Sequence, residues 1–143
     1  MTGDVELTAE RLRTLQSASP PEFDGPGDRW SPETLLVAAV ADCFILTFRA
    51  IAKASRLSWI SLHCEGTGTL DRVDGVTQFT HFHLAARLVI PAGVDADRAR
   101  HALEKAERTC LISSSLKASI ALDAAVAIAG TALEYPASRV YSE

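Results

Sequence analysis

The chain of 143 residues is poor in cysteine, holding three. An odd number at wide spacing cannot form a closed disulfide framework, and it fits a reducing compartment where paired cysteines do chemistry or bind metal. A surplus of positive charge is also missing. The formal net charge is −4 and the pI about 5.5, which argues against nucleic acid as partner because phosphate binding wants a basic surface. No basic start followed by an apolar run opens the sequence, so export is not expected and the cytoplasm is. There is no Gly-rich phosphate loop, no Ser-His-Asp pattern with local support, no basic stripe, no internal repeat and no low-complexity tract. These absences remove nucleotide-binding, serine-hydrolase and nucleic-acid classes and leave an ordinary globular composition, 48% apolar and 22% charged. The length suits one domain, 1–143, with an N-terminal segment and loop over 1–30 and a tail over 129–143.

What is present is organised around Ser31 to Ile51. Ser31 can cap a helix, Pro32 suits its first position, and Glu33 lies in its first turn, where the helix dipole favours a carboxylate. From Leu35 to Leu46 nearly every side chain is apolar, so the helix has no wet face and is expected to be surrounded. About 12 residues is short of the roughly 20 that span a bilayer, which predicts a buried axis and no membrane role. Cys43 sits within this axis, either as a small core residue or as a reactive thiol.

Around this helix the chain reads simply. Residues 1–16 form a short strand pair or a helical turn, and 17–29 is a Pro/Gly-rich loop. Residues 59–70 alternate, with Ile60, Leu62 and Cys64 on one side and His63 and Glu65 on the other. Asp74-Gly75 predicts a hairpin turn. The return strand, 76–90, places Phe82, Leu84, Ala86, Leu88 and Ile90 inward. Asp95 or Asp97 starts a second helix, Ser113 caps a short third one over 114–118, and 120–128 is a last strand. The order predicts an α+β domain with an antiparallel sheet around the central helix. Cys64 reads as core. His81 and His83 share a strand face with no third ligand at metal spacing, so no metal or other cofactor is expected.

Two patches then read together. Pro21-Glu22-Phe23-Asp24-Gly25 with Ser31 to Phe44, and Ala106 to Lys117 with its Cys110-x-x-Ser113, resemble the loop, central helix and second-cysteine segment of the OsmC/Ohr family, over roughly residues 20–128. The resemblance implies an intertwined homodimer that reduces organic hydroperoxides, regenerated by an external dithiol. Carried over, Cys43 matches the peroxidatic cysteine, Cys110 the resolving one, and Glu33 the glutamate that orients an arginine near the thiol. The departure is that arginine. Glu22 stands where some relatives have one, and Arg29, Arg13 and Arg11 are the substitutes, Arg29 nearest the helix. Without a cation, a thiol among apolar groups has a raised pKa. The rival reading is therefore a small-molecule or lipid-binding protein that keeps the fold without fast peroxide chemistry. A third is a metal site from Cys43, Cys110 and a histidine. Glu33 and Cys43 lie about 15 Å apart along one helix, so a shared site needs a fold-back or a partner chain.

Overall fold

The computed structural model describes residues 3–130 and, as backbone, 138–142, and divides the chain into two compact units, residues 1–36 and 37–143. Parts of the expected N-terminal segment (1–2) and tail (131–137, 143) lie outside the described residues.

In the first unit, strands β1 (Val5–Leu7) and β2 (Leu15–Ser17) pair antiparallel, Glu6 opposite Gln16. The N-terminal stretch is thus a strand pair, its register supported by a Gln16 Nε2 to Glu6 Oε1 hydrogen bond of 3.3 Å. A 3-10 turn over Pro21–Phe23 follows, and Gly25 closes it. A Cβ at Gly25 would lie 1.5 Å from the Ser19 carbonyl oxygen, so only glycine fits. Ser31 then caps as expected. Its Oγ accepts from Thr34 N–H at 3.1 Å, while Thr34 Oγ1 accepts from Ser31 N–H at 2.9 Å, a reciprocal box with threonine in place of the usual Glu or Gln.

Helix α1 runs from Pro32 to Ala54, and most of it belongs to the second unit. The hairpin follows as expected: β3 (Ser61–Val73) and β4 (Val76–Ile90) pair antiparallel around Asp74 and Gly75, whose φ values of 50° and 80° are those of a primed turn. Leu62, Cys64 and Gly66 on β3 share one face with Leu88, Ala86 and Leu84 on β4, and all six are buried. Gly66 and Gly68 let α1 approach this face closely. A Cβ on either would stand 3.2 Å or 2.9 Å from a Val37 methyl.

The sheet is mixed. Its order is β5-β4-β3-β6, with β5 (Ser119–Ile128) parallel to β4 and β6 (Ser138–Ser142) parallel to β3. The α+β class stands, and the antiparallel expectation holds for the central hairpin. The β4–β5 pair is parallel because helix α2 (Ala96–Thr109) carries the chain from the end of β4 back to the start of β5, a crossover and no hairpin. Nor is all of 129–143 a tail, since 138–142 adds an edge strand. Asp95 caps α2, its Oδ1 accepting from Asp97 N–H at 2.9 Å. Ala99, Ala102, Leu103 and Ala106 form the buried stripe of α2. Arg98 donates to the Ser55 carbonyl at the end of α1, and Arg100 to the Ala124 carbonyl of β5 at 2.6 Å.

Two expectations about helices need correction. The third helix, α3, spans Leu111–Ser114, with Cys110 and not Ser113 at its N-cap position. Helix α1 is also not enclosed by the described residues. Val37, Val40, Ala41, Phe44, Ile45, Phe48 and Ala52 are buried, but Leu46 is 51% exposed and Leu35, Leu36 and Ala39 are half-buried. The sheet covers one face only. With 23 residues, α1 is long and apolar enough to cross a membrane by length and composition, so the length argument fails. Its inward face, including Phe48 edge-on to Trp59 at 5.4 Å, belongs to the core of the second unit.

Candidate active site

Cys43 lies midway along α1, half-buried. Helix α2 ends at Thr109 and α3 begins at Leu111, so Cys110 sits in the joint with extended backbone, φ −59° and ψ 124°. The extended residue turns the chain so that the first amides of α3 and the Cys110 thiol all meet Cys43. No disulfide joins them.

The two thiols are unequal. Burial pushes the Cys43 thiol up, but hydrogen bonds from the Cys110 thiol, the Ile112 N–H, the Thr47 hydroxyl and the Leu111 N–H outweigh it and hold Cys43 below its ordinary value. Cys110 is raised, first by burial and then by its hydrogen bond to Cys43, against smaller opposing bonds from Ser113. One shared hydrogen bond explains both directions. As a donor, Cys110 keeps its proton and favours charge on Cys43. Thr47, one helical turn past Cys43, places Oγ1 at 3.9 Å from the Cys43 sulfur and 2.7 Å from its carbonyl oxygen.

This changes the expectation drawn from a missing arginine. The groups acting on Cys43 are dipolar donors, two of them backbone amides with no side-chain signature in a sequence. Thr47 was the readable signal, a hydroxyl at i+4 from the cysteine inside an apolar run. The structure therefore brings together Cys43 and Cys110, and adds Thr47, Leu111 and Ile112.

The other expected residues fall elsewhere. Arg29 is in the first unit, where its guanidinium pairs with Asp28 at 3.1 Å and Asp4 at 3.7 Å. Glu33 is in the first turn of α1, with a buried Oε2 that finds no hydrogen-bond donor among the described residues. Cys64 is fully buried on the inner face of β3, and burial together with the Glu65 charge pushes its thiol up to about 12. His81 bonds Ser119 across to β5 at 2.8 Å, and His63 faces Glu65 at 3.7 Å on the outer side of the sheet. Among the described residues no three His, Cys, Asp or Glu side chains cluster as a metal site.

Against this geometry the family comparison is decisive. Residues 25–125 match the OsmC-like protein family, a span that includes α1, the hairpin, and both cysteines. The chain belongs to the OsmC-like family. It is 32% identical over 131 residues to the uncharacterised protein YmaD of Bacillus subtilis, covering 86% of each chain. It is 31% identical over 93 residues to the peroxiredoxin OsmC of Escherichia coli, covering 65% of this chain and 64% of that protein. In fold it resembles an OsmC-like protein of unknown function from Vibrio cholerae, with a TM-score of 0.76, 20% identity, and coverage of 86% and 84%. The OsmC-like assignment thus covers the hairpin, both helices and the Cys43–Cys110 pair.

Proposed function

We propose that this OsmC-like protein is a thiol peroxidase that reduces organic hydroperoxides through Cys43 and is resolved by Cys110. The observation that carries the reading is the paired shift of the two thiols, Cys43 lowered and Cys110 raised through one hydrogen bond. The Cys43 thiolate attacks the terminal oxygen of R–O–O–H. The S–O bond forms as the O–O bond breaks, and the leaving alkoxide takes a proton to become the alcohol. The Cys110 thiol is the nearest source of that proton, and losing it leaves Cys110 a thiolate. That thiolate attacks the sulfenic sulfur, forming the disulfide and releasing hydroxide, which takes a proton to give water. An external dithiol then reduces the disulfide by exchange.

The similarity to a peroxiredoxin supports this reading. The protein acts in the cytoplasm, in keeping with three free cysteines. It works as a homodimer, since the half-exposed apolar side of α1 and Leu111, 70% exposed beside Cys110, call for a cover that the described residues do not supply. Such an obligate interface would exceed about 2,000 Å².

One observation favours the rival, a binder of small apolar molecules: Arg29, the arginine nearest the helix in sequence, is already engaged by Asp4 and Asp28. Consumption of cumene hydroperoxide in the presence of a dithiol separates the two. The peroxidase consumes it and Cys43→Ser abolishes consumption; equal, background rates in both proteins would leave the binder.

A further inference from the structure

Three consecutive serines follow on the turn that brings the Leu111 and Ile112 amides to Cys43, and their hydroxyls behave differently. Ser114 and Ser115 are exposed, and each hydroxyl donates back to a carbonyl, Ser114 Oγ to Cys110 at 2.7 Å and Ser115 Oγ to Leu111 at 2.9 Å. Ser113 is only 9% exposed, and its buried Oγ has no full hydrogen bond among the described residues. A buried hydroxyl in that condition is costly, and alanine would fill nearly the same space without the cost.

The neighbour that Ser113 addresses is the Cys110 sulfur. Cys110 stands at the N-cap position of α3, and Ser113 is three residues on, the place from which an N–H bonds a capping side chain. In the reduced protein that cap bond is not made, because the Cys110 thiol is engaged with Cys43. Burial raises the Cys110 thiol and its bond to Cys43 adds to the rise, while the N–H and hydroxyl of Ser113 act against both. Oxidation of Cys43 changes the demand. A sulfenic acid carries no thiolate for Cys110 to donate to, and the charge now has to sit on Cys110. The donors of Ser113 are then in place for it.

We propose that Ser113 is the positioning residue of the resolving step, its hydroxyl and N–H holding the Cys110 thiolate for attack on the Cys43 sulfenic acid. In that step the S–S bond forms as the S–O bond breaks, Cys110 is oxidised and the Cys43 sulfur reduced to the disulfide level, and the hydroxide released takes a proton to give water. Ser113 keeps its own proton throughout. The step rests on the peroxidase reading; the hold on Cys110 rests on the Ser113 geometry alone.

A single turnover with cumene hydroperoxide, quenched at intervals, follows the Cys43 sulfenic acid and the Cys43–Cys110 disulfide by peptide mass. Ser113→Ala should leave the peroxide step as in the wild type and change the disulfide step with pH. Losing a hydrogen bond to a charge raises the Cys110 midpoint by about one pH unit. Below the midpoint the thiolate is about tenfold scarcer but about threefold more nucleophilic, so the disulfide forms about threefold more slowly. Above it the scarcity vanishes and the disulfide forms about threefold faster, so the two pH profiles cross. A mere packing defect slows the step by one factor at every pH. Such a uniform factor, or coincident profiles, overturns the proposal, as does the same crossing in Ser115→Ala.

A second measurement uses no peroxide. In Cys43→Ser, the thiolate absorbance of Cys110 is titrated against Cys43→Ser/Cys110→Ser, with Cys64 pushed up to about 12 and out of range. Adding Ser113→Ala should raise the Cys110 midpoint by about one pH unit. An unmoved midpoint overturns the proposal even if hydroperoxide is consumed. A raised midpoint in a protein that consumes no hydroperoxide removes the peroxidase and keeps the hold of Ser113 on Cys110.

Discussion

Cys64 and Cys43 are the same residue in two kinds of surroundings, and their contrast explains the site better than either alone. Cys64 lies under α1 on the inner face of β3, among Leu62, Gly66 and Ala86, with only a distant contact of 4.0 Å to the Glu65 carbonyl. Burial there has nothing to oppose it, and the thiol stays protonated. Cys43 also loses water, yet it meets the Cys110 thiol, the amides at the start of α3 and the Thr47 hydroxyl. Desolvation acts on both; hydrogen-bond donors aimed at the sulfur decide the sign. A helix that bends at one extended residue, Cys110, can supply those donors from its backbone. The middle of a strand cannot, because its amides are already used in the ladder.

The largest effects should follow from exchanging the sulfurs. Cys43→Ser should reduce hydroperoxide consumption to the uncatalysed background. Cys110→Ser should permit one turnover and then stop, seen as a stoichiometric burst in peroxide loss. Cys64→Ala should leave turnover unchanged and lower stability by about 1 kcal/mol, an ordinary core cost. A loss of turnover in Cys64→Ala would break the comparison at once.

A second effect lies in alkaline stability. The Cys64 thiol is pushed up to about 12 in the folded chain, against about 8.5 when unfolded. A raised acid is protonated in both states below the unfolded value, so its contribution is complete there. Above that, the unfolded chain loses the proton first, and stability falls as pH rises toward 12. Denaturant midpoints should therefore decline from about pH 8.5 upward, and the decline should be shallower in Cys64→Ala. For Cys43 the sign is opposite: a lowered acid stabilises above its unfolded value and loses that contribution as pH falls through the folded one.

The smallest effect sharpens the Cys43 side. Thr47→Val keeps shape and removes the hydroxyl. A single hydrogen bond is worth about 0.5–1.5 kcal/mol, so the alkylation midpoint of Cys43 should rise by up to about one pH unit. An unchanged midpoint would assign the shift to Cys110 and the α3 amides alone.

Much of this was legible beforehand. Alternation in 61–70 and 76–90 predicts both faces of the hairpin because a strand's period is two, while Ile60, read as inward, precedes β3 and is exposed; Asp74-Gly75 sits at the turn with the positive φ values that pair favours. Ser31 and Pro32 mark the start of α1 because capping chemistry is local. The resemblance to the OsmC/Ohr family pairs Cys43 with Cys110, which spacing alone does not do. What escaped is non-local or carried by backbone. The parallel placement of β5 depends on where α2 delivers the chain, and 138–142 becomes a strand only because β3 offers an edge. An all-apolar helix reads as surrounded, but the sequence does not say by what, and the described residues cover one side. The donors at Leu111 and Ile112 are amides that every residue possesses, so nothing in their identity announces them.

The central claim is that Cys43 is the nucleophile because hydrogen bonds, led by the Cys110 thiol, lower it while raising Cys110. A pH series of iodoacetamide labelling on the reduced protein, with each cysteine quantified by peptide mass, tests it in one experiment. The account predicts that Cys43 labels with a midpoint below the free-thiol value of about 8.5 and Cys110 with one above it, while Cys64 labels only after unfolding. A Cys43 midpoint at or above the free-thiol value, or Cys110 titrating first, would contradict it.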